Sequence, residues 1–215
     1  MAQTIGILGA GKLGITLAEL AVKAGYAVMI AGSGDPEKIR LSVTVLAPGA
    51  VPTTQNEAIE PADLVVLAIP LRNYKQLPVG ALASKLVIDA ANYWWETDGD
   101  RKDFMPKGMS TSEAIQQFLP ESRVVKALSH MSYHDLHDEA RAKGANGRKA
   151  IAVAGDNETD IAAVSEFIDM LGFDPLPMGT LKNGQKLEPG GSVFGANVDS
   201  ATLQELLLLP AEQSA

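Results

Sequence analysis

The segment Thr4-Ile5-Gly6-Ile7-Leu8-Gly9-Ala10-Gly11-Lys12-Leu13-Gly14 places a short apolar run directly before glycines spaced G-x-G-x-x-G. Ile5 to Leu8 is too short for a buried helix and reads as a strand. An amphipathic segment follows, with Leu13, Leu17 and Leu20 on one face. Strand, glycine turn and helix in that order are the context in which this spacing marks a dinucleotide site. Gly9 permits the tight turn, Gly11 lets the backbone approach a pyrophosphate, and Gly14 lets helix and strand pack closely. The helix start then offers unpaired N–H groups and a positive dipole end to phosphates. A glycine-rich turn that binds nothing is the bland alternative, and the flanking strand and helix weigh against it.

The rest of the chain limits what such a turn can serve. A length of 215 residues suits one domain, 1–215, with roughly 179–215 as a C-terminal extension that packs on it or on a second subunit. The net charge of -8 argues against nucleic-acid and anionic-membrane partners. Cysteine is absent, which removes disulfides, thiolate metal sites and cysteine nucleophiles. No apolar run approaches the roughly 20 residues that span a bilayer. The N-terminus lacks the order of charge, apolar core and cleavage site of a signal peptide, so the cytoplasm is the expected compartment.

Further buried strands are expected at Ala27–Ala31, Asp63–Ile69, Leu86–Ala90, Arg123–Leu128 and Lys149–Ala154, separated by helical stretches. The whole is α/β: a Rossmann-type, doubly wound and mostly parallel sheet. At the end of the second strand, where NAD-binding chains usually carry an acidic residue, stands Gly32-Ser33-Gly34. That absence removes repulsion toward a ribose 2′-phosphate, to which Ser33 and Lys38 can donate; Ser33 and Asp35-Pro36 also suit a simple helix start. Ile69-Pro70, Asn92 and Ser129-His130 follow other strand ends, the edge where open α/β sheets bind ligands. Tyr93-Trp94-Trp95 lies beside that edge and suits an aromatic wall, a subunit contact or core packing alike. Glu96 to Gly108 reads as a loop, Ser110-Thr111-Ser112-Glu113 as a capping box, and Asp174 onward as an irregular closure. His130, His134 and His137 stand near Asp135, Asp138 and Glu139, but no zinc spacing appears and no metal is expected. Arg141, Lys143, Arg148 and Lys149 either attract an anionic co-substrate or solubilise a loop. The Leu206–Leu209 run is too apolar for a fully exposed end.

Taken together, Ile5–Gly14, Gly32-Ser33 with Lys38, Ala62–Pro70, Val87–Ala90, Val124–Ala127, Gly155-Asp156 and Leu171–Phe173 resemble the coenzyme F420-dependent NADP oxidoreductases. They are also similar to the reductase domain of the STEAP metalloreductases. The resemblance implies NADP (NADPH) as cofactor, with Gly9, Ala10, Gly11, Lys12, Leu13 and Gly14 around the pyrophosphate and Ile69, Pro70 and Asn92 along the dinucleotide. Ser33, Gly34 and Lys38 fall at the 2′-phosphate. The family's arginine after Ser33 is Gly34 here, so Lys38, helped by Arg40, is expected to supply the cation. The reaction implied is hydride transfer between the nicotinamide and coenzyme F420, a flavin or a small organic co-substrate, in a homodimer. Such chemistry depends on ring placement more than on acid–base groups, and the catalytic candidates are Asn92, Ser129 and His130. A non-catalytic NADP(H) sensor and a small dehydrogenase or imine-type reductase are the alternatives. Which acceptor is used, and in which direction, lies outside the sequence.

Overall fold

Short apolar runs bounded by glycine, proline or charged residues form the strands, and the longer amphipathic stretches between them form the helices. A computed structural model describes residues 3–106 and 108–209. The first half runs β1 (Thr4–Leu8), α1 (Lys12–Lys23), β2 (Ala27–Ala31), α2 (Glu37–Leu46), β3 (Val51–Thr53), α3 (Gln55–Ile59) and β4 (Leu64–Leu67). A 3-10 turn (Leu71–Gln76), α4 (Val79–Leu82), β5 (Leu86–Asp89), α5 (Trp95–Asp98), a second 3-10 turn (Arg101–Asp103), α6 (Thr111–Phe118) and β6 (Arg123–Lys126) follow. The chain closes with α7 (Tyr133–Glu139), β7 (Ala150–Gly155), α8 (Glu158–Leu171), β8 (Asp174–Pro177), a third 3-10 stretch (Leu181–Leu187) and α9 (Ser200–Leu208).

All strands join one sheet in the order β3-β2-β1-β4-β5-β6-β7-β8. Neighbours are parallel except β6 and β7, so the expected Rossmann-type, doubly wound sheet is the observed one. β4, β5 and β7 are buried along their whole length, as strands covered on both faces must be. On one face Leu17 and Leu20 of α1 share a core with Val164, Phe167, Ile168 and Leu171 of α8. On the other, Ile59 of α3 packs with Ala114 and Ile115 of α6. The order reverses between β1 and β4, and there the crossover helices leave on opposite faces and open a crevice.

Three local expectations are corrected. Asp174–Pro177 is not irregular: β8 pairs in parallel with β7 as the edge strand. Pro175 and Pro177 are tolerated because the ladder is made by alternate residues, with the Asp174 and Met178 N–H groups donating to Lys149 and Val153. The stretch Glu96–Gly108 contains α5 and the second 3-10 turn rather than an open loop. Three of the four members of the basic cluster are paired internally: Arg148 is buried and pairs with Asp169 and Asp174, Lys143 with Asp169, and Arg141 with Glu139. Those cations are not free to draw an anionic co-substrate. Elsewhere the Ser110–Glu113 capping box forms in full, with reciprocal hydrogen bonds of 3.1 and 2.8 Å.

In the C-terminal segment Leu203 is buried against Ala150, Ala152, Leu187 and Val193, with Leu206 and Leu207 packed beside them. Leu208 and Leu209 face solvent. Residues 210–215 of the expected extension lie outside the described residues. No helix among the described residues is long and apolar enough to cross a membrane.

The fingerprint glycines differ in what they do for the fold. A Cβ on Gly9 would lie 2.2 Å from the Ala68 carbonyl oxygen, and one on Gly14 would lie 1.8 Å from that of Gly9. A Cβ on Gly11 meets nothing within 4 Å. Gly14→Ala is therefore expected to cost about 3 kcal/mol or more, because backbone must move. Gly11→Ala should cost no more than about 1 kcal/mol, the difference between the two residues at a helix N-cap. Urea unfolding of the two variants checks the contrast.

Candidate functional site

At the C-terminal edge of the sheet the hydrogen-bond ladder runs past the strand ends and sets the loops side by side. Gly9 N–H donates to Ala31, Ala68 N–H to Leu8, Ala90 N–H to Leu67 and Ala127 N–H to Asp89. Two hollows result. The first, about 510 Å³, is lined by Gly9, Ala10, Gly11, Gly32, Ser33, Ile39, Gln55, Ala68, Ile69, Pro70, Asn73, Gln76 and Leu77. The second, about 530 Å³, runs from Gly11, Lys12 and Leu13 past Asn92 and Trp94 to Ser129, His130, Tyr133 and Phe194. Gly11, Ala68, Ile69 and Pro70 line both, so the two form one groove across the point where the strand order reverses.

Most of the residues expected at the site meet in this groove. Gly9, Ala10, Gly11, Ser33, Ile69 and Pro70 line its first half, and Lys12, Leu13, Asn92, Ser129 and His130 its second. Gly14 is buried below it in α1. Gly34 and Lys38 are exposed and stand outside the lining. Arg40 does not help Lys38 directly, because its guanidinium is engaged by Glu37, with Nε donating to Oε2 at 2.8 Å. The carboxylate of Asp35 accepts the Glu37 N–H at 2.9 Å and so starts α2.

The second half has a distinct chemistry. Leu128 leaves β6 with a φ of 62°, a left-handed conformation that costs a side chain roughly 1–2 kcal/mol. Asn92 donates through Nδ2 to the Ser129 carbonyl, which leaves its Oδ1 buried without a partner. The Ser129 hydroxyl is likewise buried and unpartnered. With His130 Nδ1, three uncharged polar atoms are thus left unsatisfied in the wall of one hollow, where each costs about 1–3 kcal/mol unless a ligand or water completes it.

His130 has both a structural contact and a free ring nitrogen. It is buried, and its Nε2 accepts the Ala152 N–H at 3.1 Å, tying the loop after β6 to β7. Burial lowers its pKa to about 4, opposed only weakly by the Ala196 backbone. It is neutral at ordinary pH; because Nε2 accepts, Nδ1 carries the hydrogen, and that atom is buried without a partner. His137 contacts Asp138 and Glu19, and His134 stacks on Tyr133; no group of three metal-ligating side chains gathers among the described residues.

Several site residues carried no motif. Asp98 is buried and binds two backbone N–H groups, Arg72 at 3.0 Å and Trp94 at 2.8 Å, so it fastens the Trp94 loop to the turn after Pro70. Trp94 meets Phe194 edge-on at 5.6 Å, and Gly195 N–H holds that second segment to the His130 carbonyl. Asp89 and Lys126, both fully buried, face each other on β5 and β6. The signal in the sequence is a charge directly after an apolar pair in each strand, Val87-Ile88 before Asp89 and Val124-Val125 before Lys126, within stretches that carry the family resemblance.

A larger hollow of about 770 Å³ lies elsewhere, near Arg101 and Glu188. Its charges are paired with one another, Arg101 with Glu188 and Lys102 with Asp100.

Residues 4–93 match the family described as NADP oxidoreductase coenzyme F420-dependent. The sequence resemblance to that family and to the STEAP reductases is thereby borne out. Rat metalloreductase STEAP3 is 28% identical over 189 residues, covering 87% of this chain and 36% of the relative. The chain spans between 35% and 41% of the length of the curated relatives it matches. Among solved structures, a hypothetical protein from Sinorhizobium meliloti superposes with a TM-score of 0.78 at 26% identity, covering 93% of this chain and 96% of that one. A proposed F420-dependent NADP reductase from Arthrobacter sp. FB24 shares the fold, with a TM-score of 0.70 at 23% identity over 86% of this chain and 88% of that one.

The His130 environment predicts a pH effect on stability. Its folded pKa lies below the unfolded value of about 6.5, so the unfolded chain binds the extra proton first. Stability is then complete above pH ~6.5 and is lost as pH falls toward 4, by up to ~3 kcal/mol. Between pH ~6.5 and ~5.5 ordinary carboxylates stay ionised, and the slope there should vanish in His130→Asn. Urea midpoints across that window measure it.

Proposed function

We propose that the chain binds NADP(H) along the groove and acts as an NADP(H)-dependent oxidoreductase. The observation that carries this reading is Gly11. It has no Cβ although the fold leaves room for one, and it stands where the two hollows meet. A glycine that packing does not require, at a helix N-terminus with free N–H groups, suits backbone contact with a pyrophosphate. When bound, the nicotinamide supplies a hydride from C4 to an acceptor: coenzyme F420, a flavin or a small organic molecule.

The chain's own residues bind and orient. Gly9 to Leu13 would take the pyrophosphate, and Ser33 with Lys38 the 2′-phosphate. Gln55, Asn73 and Gln76 offer hydrogen bonds to the adenosine half. With Asp35 committed to α2 and Arg40 to Glu37, selectivity for the phosphate rests on Ser33 and Lys38. Asn92 Oδ1 would accept from the carboxamide, and the Ser129 hydroxyl faces whatever lies beyond it. Trp94, Phe194, Ile69 and Pro70 exclude water around the reacting rings. A homodimer, which rests on the family resemblance, and cytoplasmic residence belong to the same proposal; sedimentation equilibrium tests the first.

Trp94 lines the groove and Trp95 is its neighbour in the chain, so tryptophan fluorescence serves as the probe. NADPH should quench it and bind at least about tenfold tighter than NADH, a difference of 1.4 kcal/mol. Tighter binding of NADH by the same factor would overturn the 2′-phosphate assignment. Lys38→Ala should weaken NADPH and leave NADH unchanged. Gly11→Val should abolish binding while lowering the melting temperature by no more than about 4 °C, the cost of a poorer N-cap; normal binding would sink the fingerprint argument. Oxidation of NADPH by F420 or a flavin separates a reductase from a sensor that binds but transfers nothing.

A further inference from the structure

Asp89 and Lys126 occupy the same register of β5 and β6, and neither is reached by solvent. Hydride transfer uses neither of them, yet every polar atom of the pair is engaged. Lys126 Nζ lies 3.1 Å from Asp89 Oδ2 and 3.5 Å from Thr111 Oγ1, and it donates to the Ala91 carbonyl. Asp89 Oδ2 also accepts the Ser112 hydroxyl at 2.6 Å, while Oδ1 accepts the Ala91 N–H at 3.0 Å. Three acceptors thus face an ammonium that carries three protons. The third 3-10 stretch seals the pair, since a Cβ on Gly184 would fall 3.1 Å from Lys126 Cγ.

The pair acts on Ala91. Asp89 holds its N–H and Lys126 its carbonyl, so Ala91, the residue just before Asn92, is fastened on both of its sides. Asn92 then reaches across to the Ser129 carbonyl. Ser129 itself follows Lys126 by the turn at Leu128. An apolar pair of equal volume would fill the space but leave both Ala91 groups without these partners.

We propose that Lys126, acting with Asp89, is a positioning residue for the nicotinamide end of the groove. It aims Asn92 Oδ1 through Ala91 and does not touch the nucleotide. This rests on the NADP(H) reading above, and the experiment separates the two.

The probes are 2′,5′-ADP, which fills only the adenosine end, and NADPH, which fills both. Titration calorimetry compares them on the intact chain, on Lys126→Met and on Thr111→Val, with melting temperatures recorded. In Lys126→Met the 2′,5′-ADP dissociation constant should stay within about twofold, while that of NADPH rises about tenfold or more. Thr111→Val keeps the ion pair and removes one acceptor; it should show the same selective loss, about threefold. It decides the matter where Lys126→Met does not fold. Equal weakening of both ligands would reduce the pair to general support of the fold and overturn the proposal, as would unchanged NADPH binding in a folded variant. If the unaltered chain binds neither ligand, the NADP(H) reading itself falls, and the positioning role with it.

Discussion

Between β1 and α1 the backbone turns so closely that the Gly9 carbonyl oxygen occupies the place a Cβ of residue 14 would need. The same turn presses Gly9 on the Ala68 carbonyl at the end of β4. These contacts set α1 across the sheet at the point where the strand order reverses, and they bring the helix N-terminus to the mouth of the groove. Every later feature of the site is referred to that position. Gly6 extends the constraint to the other side of β1, where a Cβ would lie 2.3 Å from the Ala58 carbonyl oxygen in α3.

The polar groups at the sheet's edge divide into those that are satisfied and those left waiting. Asp98 and the Asp89–Lys126 pair are buried charges with their hydrogen bonds provided by the protein, and Arg148 is buried between Asp169 and Asp174. Removing one member of such a pair leaves an uncompensated charge, at about 3–5 kcal/mol. Asn92 Oδ1 and the Ser129 hydroxyl are uncharged and unpartnered, and both line one hollow. The rigid charged set supports the neutral set, which is the arrangement a precise but uncharged contact surface needs.

The dinucleotide half was legible because its signals are local. Gly9, Gly11 and Gly14 answer to backbone geometry within a few residues, and the apolar runs of β4 and β5 declare burial on both faces without reference to partners. Ser110 and Glu113 announced their capping box in the same way. Long-range chemistry was not legible. His130 sits at a strand end, where a reactive group is expected, but one of its ring nitrogens is taken by the Ala152 N–H of a strand some twenty residues later. Arg148 resembles part of a soluble basic loop until Asp169 and Asp174 close around it. Phe194 carries no motif and reaches the groove only because Gly195 is tied to His130.

The sequence by itself determined the strand–turn–helix opening, the mostly parallel sheet and the edge on which a nucleotide would lie. These follow from hydrophobic periodicity and from glycines whose constraints act over one turn of chain. Tertiary structure alone decided that Asn92 and Ser129 would share a wall and that His130 would stay neutral. It also decided that Lys126 and Asp89 would brace the loop between them. Each of those outcomes needs an element from a distant part of the chain to remove water or provide a partner. Burial of that kind is a property of packed surfaces, which no short stretch of residues contains.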